Sequence, residues 1–328
     1  MASCVEDSLF KKRNKHFCKR YQLGEQIGSG AFSSVHKVTK IKDNKKLACK
    51  ILTTVYFSED REDIISKMKI WAQEISHKSI LSYIKAISSE NDNYIYIIMP
   101  LTTEIELIDQ IANTKVLSER SLVPFIEQIL TACEYLHRNK FIHRNLKPEN
   151  VLVKNQRDVV VSDFGLAEIY DHVHSGVCWE VLCEIPDFVS PEIISRRNLN
   201  CKVDLWSIGV FLYILLCGYP PFTTSDDIAF QSLQFNPAHW DMHSPNSKDF
   251  ITSLLSKDHR DRPLAANALK HNWITKHVDN VAIIAQKKIN EFLFDWRSRR
   301  KNCRSKLAQK FNKIAVDYDG RCCDDEEA

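Results

Sequence analysis

The chain has 328 residues, with 45 basic and 42 acidic side chains and a formal net charge of +3. That balance excludes a dedicated nucleic-acid binder, whose affinity would rest on many phosphate contacts. The 44% hydrophobic content, with only 8 Gly and 10 Pro, excludes a disordered or low-complexity chain. The length suits about two domains.

Eleven cysteines are present, but no Cys-x-x-Cys pair and no Cys/His spacing of a zinc site. They read as reduced, mostly buried thiols. The opening residues MASCVEDSLFKKRNKHF lack the apolar run of a signal peptide, and Ala2 excludes the myristoylation pattern. The longest apolar stretches, Tyr94 to Leu101 and Ile208 to Cys217, fall short of the roughly 20 residues that span a bilayer. These features predict an intracellular chain, cytoplasmic or nuclear, without a transmembrane helix.

In chain order, residues 1–20 form a basic extension. From Tyr21 to about Leu101, β-branched and aromatic runs (YQLGEQI, SSVHKVTKI, KLACKIL, YIYIIMPL) predict a small sheet, with one helix from Asp63 to Ser76. Leu122, Phe125, Ile126, Ile129, Leu130, Cys133 and Leu136 then recur at three- and four-residue steps, which predicts an amphipathic helix opening a larger helical region. Within it, Val151 to Val153 and Val159 to Val161 flank KNQRD as a short hairpin, and the last helix of this region ends near Trp273 and Ile274.

IGSGAFSSV lies between two predicted strands, where Gly28 and Gly30 let backbone approach a phosphate chain without a Cβ in the way. Lys50 on the next strand is a point charge within plausible reach of phosphate oxygens. HRNLKPEN follows at 143–150 and DFG at 163–165, where Asn150 and Asp163 are oxygen donors of the kind that hold Mg²⁺. SPE at 190–192, DLWSIG at 204–209 and RDRP at 260–263 complete the series.

With these motifs in this order and spacing, residues 21–274 resemble the eukaryotic protein kinase family. Lys147 in HRNLKPEN looks like the serine/threonine type, and CKVDLWSIGVFLYILLCGYPPF looks like the calcium/calmodulin-dependent kinase group. The resemblance implies an α+β fold of two lobes: a β-rich N-lobe over about 21–99 and a mostly helical C-lobe over about 100–274. It implies ATP and Mg²⁺ in the cleft between them, a hinge near Met99 to Leu101, and Ile98 as gatekeeper. The nucleotide would be met by Ile27, Gly28, Gly30, Val35, Ala48, Lys50, Met99, Leu101, Glu106 (near the ribose), Asn150, Leu152 and Asp163. Asn150 and Asp163 would hold the metal. Glu192 and Arg262 would form a buried ion pair, Asp204 would hold the catalytic-loop backbone, and His143 would be a packing residue.

Three departures from the family pattern bear on activity. Active members carry Asp between the Arg and Leu of the catalytic loop, whereas this chain has Asn145, which can hydrogen-bond a hydroxyl but cannot take its proton. Before the SPE motif the family reads Cys-Gly-Thr-Pro, and here Glu184 and Ile185 stand in CEIP. Nine residues before His77, Met68 falls where a glutamate partner of Lys50 is expected, and Glu74 or Glu62 could serve only with a shifted helix. The segment from Leu166 to Ser190 contains Ser175 but no threonine. Nucleotide and metal residues are kept while acceptor-side residues change. Two readings remain: a nucleotide-binding pseudokinase acting as a scaffold or allosteric partner, or an active serine/threonine kinase in which Lys147, Asn150 and Mg²⁺ do most of the chemistry.

Residues 275–328 form a basic tail. Between Trp296 and Val316 lie eight basic residues, and Trp296, Cys303, Leu307, Phe311 and Ile314 recur near helical spacing. A helix over about 292–314, with Leu293 and Leu307 as anchors, has the pattern of a calmodulin target. In the group it resembles, this position often holds an autoinhibitory segment. A helix packed on the large lobe with a solvated basic face, or one lying on a membrane surface, fits the same pattern.

Overall fold

The computed structural model describes residues 15–29, 33–53, 61–88, 94–102, 104–114, 118–163, 186–195, 200–276 and 286–319. Five strands form an antiparallel sheet: β1 (Tyr21–Ser29), β2 (Ser33–Lys40), β3 (Lys46–Thr53), β4 (Lys85–Ile87) and β5 (Tyr94–Pro100), in the order β1-β2-β3-β5-β4. β3 is central and buried along nearly its whole length, which its run of apolar residues from Leu47 to Leu52 requires.

Period-2 alternation divides β3 and β5 between two cores. Ala48, Leu52, Ile95, Ile97 and Met99 join the main core. Leu47, Cys49, Ile51, Tyr96 and Ile98 pack with Phe17, Tyr21 and Val38 on the other face. The gatekeeper expectation is therefore corrected. Ile98 lies on the face away from the main core, and Met99, paired across the strands with Ala48, lies on the face toward it. A one-residue offset in a strand reverses the face, so an assignment made from motif counting alone is exposed to this error.

Helix α1 (Arg61–Glu74) packs beside the sheet through Met68, Trp71 and the following Ile75, at three- and four-residue steps. The helical lobe contains α2 (Leu107–Asn113), α3 (Glu119–Arg138), α4 (Lys202–Cys217), α5 (Ser225–Phe230) and α6 (Pro245–Leu254). The predicted stripe holds for α3: Leu122, Ile126, Ile129, Leu130, Cys133 and Leu136 are buried. The valine hairpin is β7 (Val151–Lys154) with β8 (Asp158–Val161), joined on its open edge by β6 (Ile105–Glu106). Almost every residue of α4 is buried, so this helix, apolar all round, is the axis of the lobe.

Two buried carboxylates brace the lobe. Glu119, fully buried at the start of α3, accepts hydrogen bonds from the Ser244 backbone N–H (3.0 Å), the Ser244 hydroxyl and Trp273 Nε1 (2.8 Å), with His243 at 3.5 Å. Glu192 receives both terminal nitrogens of Arg262, at 2.7 and 2.9 Å, which places the expected ion pair in the interior.

Helix α7 (Gln286–Asp319) is 34 residues long, about 50 Å. Its first half docks on the helical lobe through Ile289, Phe292, Leu293 and Trp296, all buried in the main core. The docking depends on Gly218, which ends α4 in the left-handed region (φ 82°) and donates its N–H to the Ile214 carbonyl at 2.8 Å. A Cβ at Gly218 would collide with the Lys288 side chain and come within 2.9 Å of its backbone. One glycine thus closes α4 and admits the tail helix.

Candidate active site

The catalytic loop hangs from α4. Asp204, fully buried in the first turn of that helix, accepts the backbone N–H of His143 at 2.9 Å and of Arg144 at 2.7 Å, and its Oδ2 lies 2.8 Å from His137 Nε2. Burial opposes its ionisation, but these donors outweigh it and hold the carboxyl below its ordinary value. Arg144 adopts φ 58°, a left-handed turn that these hydrogen bonds maintain. The ring of His143, also fully buried, reaches the Ser162 carbonyl through Nε2 (2.9 Å), and Nδ1 accepts the Asn145 N–H (3.2 Å). A neutral imidazole protonated at Nε2 serves both bonds, and burial, the largest influence, pushes the pKa down. His143 therefore packs and orients, as expected.

Asn145 is held from both sides of its peptide: its N–H by His143 and its carbonyl by Asn150 Nδ2, at 2.8 Å. With the Asn150 amide nitrogen so engaged, its Oδ1 is the donor atom left to face a cation. Asp163 adopts φ 61°, and its Oδ2 pairs with Lys50 Nζ at 2.8 Å. Burial acts to raise the Asp163 pKa, but Lys50 overrides it and lowers the value. A carboxylate and an amide oxygen are hard donors, so Asn150 and Asp163 fit Mg²⁺ by donor chemistry.

Met68 is fully buried within the main core, on the helix where the resemblance places a carboxylate. Glu74 is exposed at the end of that helix and accepts the Tyr135 hydroxyl only through its backbone carbonyl. The charge partner of Lys50 among the described residues is thus Asp163 of the C-lobe.

The other candidate nucleotide residues are placed as follows. Gly28 pairs with Val35 across β1 and β2, and Val35 with Lys50 across β2 and β3. Ile27 is exposed. Ala48 and Met99 are buried opposite each other, Leu101 packs against the main core just beyond β5, and Leu152 faces Glu106 across β6 and β7. Gly30, Ser175, Glu184 and Ile185 lie outside the described residues.

The structure adds contacts that motif reading missed. Arg297 of α7 reaches Glu106 at 2.6 Å and Asp109 at 2.7 Å. Arg299 reaches the buried Asp187 at 3.0 Å. Arg300 pairs with Glu149, whose other oxygen lies 3.0 Å from Lys147 Nζ. Burial pushes the Asp187 carboxyl up, against the pull of Arg299. The tail helix therefore runs from the carboxylate expected near the ribose to the loop that carries Asn145 and Lys147. The basic face expected to be solvated is engaged in part: Arg297 and Arg299 stay partly exposed, while all three arginines pair with acidic groups of the helical lobe that line the path of α7.

A five-stranded sheet over a helical lobe, with a strand lysine facing a loop aspartate, defines a protein kinase domain. Residues 21–274 match the family model for the protein kinase domain, and the chain belongs to that family. A calcium/calmodulin-dependent protein kinase type 1 of Caenorhabditis elegans is 33% identical over 284 residues, covering 81% of this chain and 80% of that protein. Myosin light chain kinase A of Dictyostelium discoideum is 32% identical over 274 residues, covering 81% of this chain and 91% of that protein. No helix among the described residues is long and apolar enough to cross a membrane.

Proposed function

We propose that this chain is a pseudokinase: it binds Mg·ATP in the inter-lobe cleft and acts in signalling as a scaffold or allosteric regulator, with little or no phosphoryl transfer. One observation carries the reading. The catalytic loop is anchored throughout by Asp204, His143 and Asn150, yet the side chain it presents is that of Asn145, an amide with no basic atom. Loss of a general base lowers a rate by about 10²–10⁴-fold, while positioning by Lys147 and charge stabilisation by Lys50 are left in place. Mg²⁺ supplies charge neutralisation on the phosphates when bound, and Asn150 and Asp163 are the residues to hold it.

A second reading, an active serine/threonine kinase held off by its tail, is supported by a different observation. Arg297 and Arg300 occupy the carboxylates Glu106 and Glu149, an arrangement suited to blocking a groove that would otherwise work. The names of the calcium/calmodulin-dependent relatives support calmodulin as the agent that lifts α7. Leu293 and Trp296 are buried against the lobe, so capture of the helix by calmodulin requires undocking.

The test is Mg·ATP binding by thermal shift together with radiolabel transfer to generic protein substrates. Binding without transfer, both in the wild type and in Arg297→Glu/Arg300→Glu with the tail released, supports the first reading; transfer by the tail-released protein that Lys50→Met abolishes supports the second.

A further inference from the structure

Behind the catalytic loop, four side chains of metal-binding chemistry meet where α3 crosses the start of α4. Cys133 and His137 are one turn apart on α3 and project to the same side. Asp204 lies in the first turn of α4, and Cys201 directly precedes that helix. One donor atom from each of Cys133, His137 and Asp204 lies within 4.8 Å of the others. The Cys201 thiol sits beside His137 and interacts electrostatically with Cys133.

The His137 ring is served on one side only. Nε2 bonds Asp204 at 2.8 Å, whereas Nδ1 is buried and has no hydrogen-bond partner, and the side chain as a whole is only 9% exposed. Although the Cys201 thiol is near, it does not meet hydrogen-bond geometry with the ring. A buried ring nitrogen without a hydrogen-bond partner, on a ring near the Cys133 and Cys201 thiols and backed by a carboxylate on its far nitrogen, has the form of a carboxylate-oriented histidine ligand.

We propose that Cys133, Cys201 and His137 Nδ1 bind one Zn²⁺, with Asp204 fixing the imidazole through Nε2. Two thiolates and one imidazole select a borderline-soft cation such as zinc over Mg²⁺ or Ca²⁺, which prefer oxygen. A three-ligand zinc site keeps a fourth position for water, and the partly exposed Cys201 provides the entry side. Ligand-to-ligand distances around tetrahedral zinc are about 3.3–3.8 Å, so Cys133 and His137, whose donor atoms lie within 4.8 Å, need to close by about 1 Å, and Cys201 joins them from the start of α4. Binding releases the two thiol protons and the Nδ1 proton of the His137 imidazolium to solvent, and the remaining His137 proton stays at Nε2 facing Asp204. The metal would tie α3 to α4 directly behind the backbone of His143 and Arg144.

The test uses the full chain carrying Cys322→Ser and Cys323→Ser, which removes the thiol pair beside the acidic C-terminal residues as a competing site. Zn²⁺ is titrated against a chromophoric chelator, and Co²⁺ is used as a spectroscopic probe. The proposal predicts one equivalent of Zn²⁺, a tetrahedral Co²⁺ spectrum with thiolate charge-transfer absorption, and affinity at least tenfold weaker in both Cys133→Ala and Cys201→Ala. Cys201 is not in the core, so its variant keeps the result interpretable if Cys133→Ala fails to fold. Unchanged affinity in Cys201→Ala, a Co²⁺ spectrum without thiolate absorption, or a Cys133–Cys201 disulfide found by mass spectrometry in place of the metal would overturn it.

Discussion

Arg297 of the tail helix places Nη2 2.6 Å from Glu106 and 2.7 Å from Asp109, closing the carboxylate expected to meet the nucleotide ribose. Arg300, one turn on, does the same to Glu149 beside Lys147. The two arginines link the state of the tail to both ends of the site.

Charge reversal at these arginines tests that link. Each pair is partly exposed and contributes at most about 1 kcal/mol, or about fivefold in an equilibrium. The double variant Arg297→Glu/Arg300→Glu is expected to bind Mg·ATP several-fold more tightly by fluorescence titration and to expose the tail to protease, with the global melting temperature nearly unchanged. Equal nucleotide affinity in both proteins would separate the tail from the site.

The buried pair Glu192–Arg262 predicts a large stability effect of the opposite kind. Arg262→Ala leaves a buried carboxylate without its partner and is expected to cost about 3–5 kcal/mol in denaturant unfolding. Arg262→Lys should recover only part, because an ammonium cannot supply both parallel bonds. A loss below about 1 kcal/mol for Arg262→Ala would contradict the assignment.

Glu119 predicts a pH dependence. Burial acts to raise its pKa, but the nearby His243 ring and hydrogen bonds from Ser244 and Trp273 outweigh it, and the folded value lies below the ordinary one. In the window between the lowered folded value and the unfolded value, the unfolded chain binds more protons, so stability is present above that window and is lost as pH falls through it. Glu119→Gln is expected to flatten this part of the acid limb. It should also cost on the order of 1–3 kcal/mol at neutral pH, because one of the grouped donors loses its acceptor. Urea melts of both proteins between pH 3 and 7 check both statements.

The parts of this fold that follow from local periodicity and linear motifs were legible in the sequence. The α3 stripe, the valine hairpin and the order of catalytic motifs each depend on residues close together in the chain. What escaped depends on tertiary partners. The tail stripe reads as Trp296, Cys303, Leu307, Phe311 and Ile314; among the described residues Ile289, Phe292, Leu293 and Trp296 bury in the core, and the side chains of the other four lie outside the described ones. The docking partner, the bare surface of Gly218, lies about seventy residues upstream and leaves no periodic trace. Motif spacing puts Ile98 in the gatekeeper place, whereas Met99 is the residue in the main core, because spacing alone does not show which face of a strand a residue takes. The Cys133, His137 and Asp204 cluster, with Cys201 beside it, escapes a linear reading because two segments more than sixty residues apart build it.

A fully anchored catalytic loop presents an amide, Asn145, where a base is needed. The most direct test of this is radiolabel transfer by the wild-type chain and Asn145→Asp, with Mg·ATP binding measured on both in the same buffer. Both proteins are expected to bind Mg·ATP, with no transfer above background by the wild type. Transfer by the wild type, or by Arg297→Glu/Arg300→Glu with the tail released, that Lys50→Met abolishes would contradict this and make this chain a working kinase under tail control.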